Sequence, residues 1–255
     1  MSRKPESYMT PAQKPKTKKK KKSAPKNHLV SVVLLSENYG YRMKSCGPIS
    51  LVKVGNQTLL EHQLEAINQS FTNYEIILCT GFETEKVLNF IEVKCPQAPI
   101  RVVENQIYKV TNCCESTRIS LNNISNDCVV VCNGELMLSS EQLKKVDLSQ
   151  SCVLSQSHPV DNMEVGIIQN DGYLETMSVG LKKNLWSEIV CLSDRRAITC
   201  LKSYLAMTEF KNKFLFEAIQ AMCKRQPLRV IDMGFSASKI NNAKSLQRAT
   251  NENIG

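Results

Sequence analysis

The chain has 255 residues, 42% of them hydrophobic, and a formal charge of +9. That is enough apolar material for one large α/β domain or two small ones, and it excludes a chain too polar to build a core. Residues 1–27 hold ten Lys or Arg and one acid, Glu6, whereas residues 28–255 hold 23 side chains of each sign. The excess charge is a property of the first 27 residues alone, so it excludes a globular body that is basic overall.

Residues 1–27 are rich in Pro and Lys and nearly devoid of apolar side chains, the composition of a disordered basic tail preceding a folded domain at 28–255. Lys18, Lys19, Lys20, Lys21 and Lys22 form a block of like charge suited to nucleic acid or another polyanion, bound through residues 14–26. A nuclear-import address and a solubilising extension are the other readings. No aromatic side chain lies between these lysines, so base stacking is not offered, and binding is expected to ignore sequence and to weaken with salt. The start of the chain lacks the apolar core of a signal peptide, and no run approaches ~18 apolar residues, so neither secretion nor a membrane span is expected.

The first element is an apolar run, Leu29 to Leu35, broken only by Ser31. It does not alternate, as expected of a parallel strand buried on both faces. A polar loop follows: Ser36, Glu37, Asn38, Tyr39, Gly40 and Tyr41, with Gly40 free to take backbone conformations closed to other residues. After Arg42-Met43-Lys44-Ser45, Pro48-Ile49 and a Gly55-Asn56 turn, Thr58 is placed to cap a helix, and Glu61 three residues later completes a capping box. Leu60, Leu64 and Ile67 form the apolar stripe of that helix. A strand that ends in a loop able to approach phosphates is how a nucleotide-binding α/β sheet begins.

Strands are expected at 74–79, 100–103 and 128–132, with helices at 83–91 and up to about residue 123, the alternation of a parallel sheet with helices on its faces. Asn133-Gly134-Glu135 follows the third of these strands directly, and a carboxylate at the C-terminal end of a strand is where an open α/β sheet places its ligand chemistry. Ser139 and Gln142 make a second capping box, 151–155 reads as a strand, and Asn170-Asp171-Gly172 joins 164–168 to 173–179 as a hairpin. Trp186, the single Trp, reads as core or as pocket wall. Helices at 194–207 and 213–224 and a strand near 228 complete the pattern. The eleven Cys are odd in number, lack any C-x-x-C, and lie mostly within apolar runs, as reduced thiols do in an intracellular compartment: the cytoplasm, or alternatively the nucleus or a nucleoprotein particle.

The sequence from Asn38 to Arg42, followed by Pro48-Ile49 and Leu51 to Glu61, resembles the N-terminal signature of the nucleotidyltransferases that activate sugar phosphates, phosphocholine or related alcohol phosphates. Asn105 to Asn112 with Ser116, the Asn133-Gly134-Glu135 turn, and Lys239 to Ala249 are similar to later phrases of that family, in the same order. The resemblance implies a mostly parallel, Rossmann-like central sheet of GT-A type with helices on both faces. It also implies an NTP held by Ser36, Glu37, Asn38, Tyr39, Gly40, Tyr41, Asn112 and Ser116. Arg42 and Glu135 would be catalytic, and Mg²⁺ would sit on Glu135 and Asn241.

Four positions depart from the family phrase: Asn38 stands for Gly, Ile49 for Lys, Glu135 for Asp and Asn241 for Asp. The reaction, attack of a substrate phosphate on the α-phosphorus with loss of pyrophosphate, relies on cations around crowded phosphates. The expectation is therefore a nucleotidyltransferase-like protein with little or no catalysis, serving as a binding or structural component tethered by its Lys-rich tail to nucleic acid or a nucleoprotein assembly. The alternative is an active, divergent transferase moving NMP to a sugar phosphate or phosphocholine-like alcohol phosphate. Lys44, Lys53 and Lys239 are candidates to replace the missing cation, and Asp232 to replace the missing carboxylate.

Overall fold

The computed structural model describes residues 29–39, 43–157, 163–234 and 238–253. The chain enters through Val30–Leu35 (β1), every residue of which is buried. A short antiparallel pair, Lys53–Val54 (β2) and Gln57–Thr58 (β3), leads into the helix Leu59–Asn68 (α1). Thr58 and Glu61 cap α1 reciprocally: Glu61 N–H donates to Thr58 Oγ1 at 3.2 Å and Thr58 N–H to Glu61 Oε2 at 2.7 Å. Tyr74–Thr80 (β4), Thr84–Lys94 (α2) and Ile100–Glu104 (β5) follow. Next come Cys113–Asn122 (α3), Val129–Asn133 (β6), Leu136–Met137 (β7) and Ser140–Leu143 (α4), the last opened by the Ser139–Gln142 capping box.

Cys152–Gln156 (β8) precedes the hairpin of Val165–Asn170 (β9) and Tyr173–Val179 (β10). Its turn takes left-handed backbone at Asp171 and Gly172, φ 50° and 78°, as a two-residue hairpin of this hand requires. Asn184–Leu192 (β11), Arg195–Leu205 (α5), Leu215–Cys223 (α6), Arg229–Asp232 (β12), Ser238–Lys239 (β13) and Ala243–Asn253 (α7) complete the described chain.

Nine strands form one sheet in the order β5-β4-β1-β6-β11-β8-β12-β10-β9. β5, β4, β1 and β6 are mutually parallel, and β12 is parallel to β8. The parallel run is interrupted where β11 inserts antiparallel between β6 and β8, and β10 runs against β12 and β9. A hairpin can only return antiparallel, which accounts for the pairing of β9 with β10.

β1 shows why its sequence cannot alternate. Val33 and Leu35 pack on one face with α3, α5 and α6, while Val32 and Leu34 pack on the other with α1, α2 and α4. A third, smaller cluster joins Met43, Ile49, Val52, Val54 and Leu59 to Ile240 and Ala249, seating α7 against the start of the domain. All eleven cysteines are unpaired. Among the described residues no helix is long and apolar enough to cross a membrane.

Candidate functional site

The C-terminal ends of β1 and β6 open into a cleft of about 270 Å³. Leu35 closes one side of its floor, and Gly134 N–H donates to the Leu35 carbonyl at 2.9 Å, pulling the turn after β6 tightly against β1. The approach is so close that a Cβ on Gly134 would lie 2.4 Å from the Leu35 carbonyl oxygen. From below, the buried amide of Gln63 on α1 donates to the carbonyls of Gly134 and Leu136, at 2.9 and 2.8 Å. Asn133 completes the turn by accepting from Glu135 N–H at 2.9 Å. These contacts fix where the Glu135 carboxylate stands.

Two further elements bring charge to the same point. Glu188 has left-handed backbone, φ 61°, at the shift in register between β11 and β8. Such a bulge re-aims a side chain at a local conformational cost that only a well-packed surround sustains. Here it directs Glu188 to the amide of Asn133 and the ammonium of Lys239. Lys239 comes from β13, which pairs with β7 so that Lys239 stands opposite Leu136, and Ile240 N–H donates to the Glu135 carbonyl at 2.8 Å. The Lys239 Nζ lies 2.7 Å from Glu188 Oε1 and 3.3 Å from Glu135 Oε2.

The electrostatics follow from this placement. Burial raises the Glu135 carboxyl and the Glu188 charge adds to it, while Lys239 opposes both; the net shift is upward. Burial alone would lower the Lys239 ammonium, but the Glu188 and Glu135 carboxylates together hold it above its ordinary value. Glu37, 3% exposed, is pushed up to about 7, chiefly by burial, with the Glu135 charge adding to the rise and hydrogen bonds from its own backbone and Ser116 opposing it. Its Oε2 is buried without a hydrogen-bond partner among the described residues. The opposite wall is apolar: Ile49, Trp186, Phe214 and Phe216 line it. Trp186 is thus both core and pocket wall, its indole N–H donating to the Ile189 carbonyl at 3.3 Å.

Of the residues singled out from sequence, Glu37, Asn38, Asn112 and Glu135 line the cleft together. Asn112 caps α3, its side-chain oxygen accepting from Cys113 N–H at 2.9 Å. Ser116 is buried, accepting from the amide of Asn105 at 3.0 Å. Ser36 is buried against Gly134, and Tyr39 packs edge-on to Phe82 with ring centres 4.9 Å apart. Gly40, Tyr41 and Arg42 lie outside the described residues, as do Lys18 to Lys22.

Asn241 is turned elsewhere. Its side-chain oxygen accepts from the Asn242 amide at 2.8 Å and from the Ser245 hydroxyl at 3.5 Å, at the start of α7. Asp232 accepts from the Ser157 hydroxyl and from Gly234 N–H, the latter at 2.9 Å. Of the three candidate lysines, Lys44 and Lys53 are exposed and only Lys239 enters the cleft. Glu188 is a site residue that the motif pattern did not mark, and Asn133, read only as part of the turn, also lines the cleft. The one trace of Glu188 in the sequence is a charge inside the apolar run Leu185 to Leu192.

The Mg²⁺ implied for Glu135 and Asn241 does not fit these residues. The Glu135 carboxylate faces the Lys239 ammonium, and the Asn241 oxygen is engaged with the Asn242 amide and the Ser245 hydroxyl.

No protein-family model matches the sequence, nor does any curated protein. Solved structures do. CTP:phosphocholine cytidylyltransferase from Streptococcus pneumoniae superposes with TM-score 0.73 at 17% identity, covering 89% of this chain and 99% of that one. The fold is that of a nucleotidyltransferase. UDP-glucose pyrophosphorylase complexed with UDP-glucose covers 89% of this chain and 98% of its own at TM-score 0.69 and 12% identity. The inositol-1-phosphate CTP transferase from T. maritima covers 88% and 96% at TM-score 0.66 and 14% identity. At such identities the likeness concerns the nucleotidyltransferase fold and leaves the reaction to be argued from the site.

Proposed function

We propose that this nucleotidyltransferase fold binds a nucleoside triphosphate in the cleft with little or no turnover, and that the Lys18–Lys22 block tethers it to nucleic acid or another polyanion. The carrying observation is the poverty of cations among the described residues that line the cleft. Ile49, 1% exposed, forms wall where the resembling family has Lys, and Lys239, the one Lys or Arg among the described lining residues, is already held by two carboxylates. Each missing electrostatic donor costs about 2–4 kcal/mol of transition-state stabilisation, and two together remove several orders of magnitude in rate.

The test is a thermal-shift series of the full chain with each of the four NTPs, paired with a pyrophosphate-release assay using phosphocholine or glucose 1-phosphate as acceptor. The expected result is a shift with at least one NTP and no pyrophosphate above background. Steady release at about 1 s⁻¹ or faster, the range of ordinary enzymes, would sink this reading. It would favour instead the active transferase moving NMP to a sugar phosphate or phosphocholine-like alcohol phosphate. That second reading is supported by the extent of the fold likeness, which runs through 96% or more of each structure named above.

For the tail, deleting residues 1–27 is expected to abolish retention of the protein on RNA or DNA at low salt. Unchanged retention would place any polyanion site on the neutral body instead.

A further inference from the structure

We infer that Lys239 takes the place of a divalent cation in this fold: its ammonium is the built-in counter-ion of Glu135 and Glu188, and the cleft receives its ligand without a metal. The inference rests on the nucleotide reading above only for the identity of the ligand.

Three elements converge to build the bridge. Glu135 is held by the turn packed on β1, Glu188 is aimed by the bulge in β11, and Lys239 is fixed by the β13–β7 pairing. Lys239 cannot leave by a side-chain rotation alone without stripping two carboxylates of their partner in a partly enclosed site, which is costly. A divalent ion that reached the same carboxylates would have to displace it. Mg²⁺ further demands ligand oxygens at about 2.0–2.1 Å in octahedral array, and the side-chain oxygen of Asn241 is engaged with Asn242 and Ser245. The ammonium has three N–H donors, of which the two carboxylates take two, leaving one for a ligand oxygen. The Oε2 of buried Glu37 on the same cleft, without a partner among the described residues, adds a polar contact for a ligand hydroxyl or amine.

The experiment is a titration of the full-chain protein with Mn²⁺ alone, free ion being read by electron paramagnetic resonance, in wild type, Lys239→Arg, Lys239→Met, Glu135→Gln and Lys239→Met/Glu135→Gln. Wild type and Lys239→Arg are expected to bind Mn²⁺ weakly. Lys239→Met, which uncovers both carboxylates, is expected to bind it at least tenfold more tightly, and the double variant to lose that gain. A folded Lys239→Met protein that gains nothing overturns the inference. So does a wild-type protein that binds Mn²⁺ tightly and loses it in Glu135→Gln, an outcome readable even where Lys239→Met does not fold.

A second arm measures the thermal shift of wild type with each NTP in excess EDTA and in excess Mg²⁺. Equal shifts support the metal-free site, and a shift that requires Mg²⁺ overturns it. Absence of any NTP shift removes the nucleotide reading, while the Mn²⁺ titration still decides the role of Lys239.

Discussion

Glu37→Gln is expected to stabilise the protein above neutral pH and to remove a loss of stability that the wild type suffers between mild acid and neutrality. The Glu37 carboxyl moves from an ordinary value of 4.5 to about 7 on folding, mainly because the folded chain buries it. Between those two values the native state holds a proton that the unfolded state has released. Stability therefore falls as pH rises through this window and levels off once both states are ionised. At about 1.4 kcal/mol per pKa unit, the loss amounts to about 3 kcal/mol. Glutamine keeps the shape of the side chain but has no charge to bury.

Urea unfolding of both proteins at about pH 5 and about pH 8 measures the difference directly. The wild-type free energy should drop across the window by roughly the amount above, and the variant should lack that component. Parallel curves for the two proteins would show that Glu37 does not carry the proton. The same titration bears on ligand binding. Ionised Glu37 adds negative charge beside Glu135, so a phosphate-bearing ligand should bind more weakly as pH rises through about 7.

Gly134→Ala is expected to destabilise the fold by about 3 kcal/mol or more, the upper end of what overpacking costs. The added Cβ would stand 2.2 Å from Ser36 Oγ, 2.4 Å from the Leu35 carbonyl oxygen and 2.8 Å from the Leu35 carbonyl carbon. The Ser36 hydroxyl can rotate away. The Leu35 carbonyl cannot, because it belongs to a strand paired on both sides by β4 and β6. Relief requires the Asn133–Glu135 turn to lift from β1, which breaks the Gly134–Leu35 hydrogen bond and moves Glu135 away from Lys239. Gly234→Ala is the control: its φ of 78° strains an L-residue, but nothing lies within 4 Å of the added carbon, so about 1 kcal/mol is expected. Equal denaturation midpoints for the two variants would show that the close approach at Gly134 carries no weight.

Much of the architecture was legible in the chain because its signals are local. The unbroken apolar run of β1 announces a strand buried on both faces, and the structure packs it so. The capping boxes at Thr58–Glu61 and Ser139–Gln142 and the Asn170-Asp171-Gly172 turn are written within four residues each, and each forms as read. The Asn133-Gly134-Glu135 turn was legible for a related reason: a strand's end is marked in sequence, and an α/β sheet opens its cleft at such ends.

The charge pattern of the cleft was not legible, because it is made by residues that meet only through the sheet. Lys239 and Glu188 are 51 residues apart, and Asn133 and Glu188 are 55 apart. Glu188 reaches them through a bulge, and in a strand without one a shift of a single residue would send its side chain to the other face. Asn241 illustrates the reverse: its position in the phrase from Lys239 to Ala249 suggested a metal ligand, but its side chain is engaged with the side chains of Asn242 and Ser245 at the start of α7.

Strand and helix positions and the turn carrying Glu135 were thus determined by the sequence itself, through periodicity and capping that act over a few residues. The antiparallel insertion of β11, the choice of Lys239 over Lys44 and Lys53, and the two carboxylates that hold it were decided only by tertiary packing, because long-range pairing alone sets which side chains share one cleft.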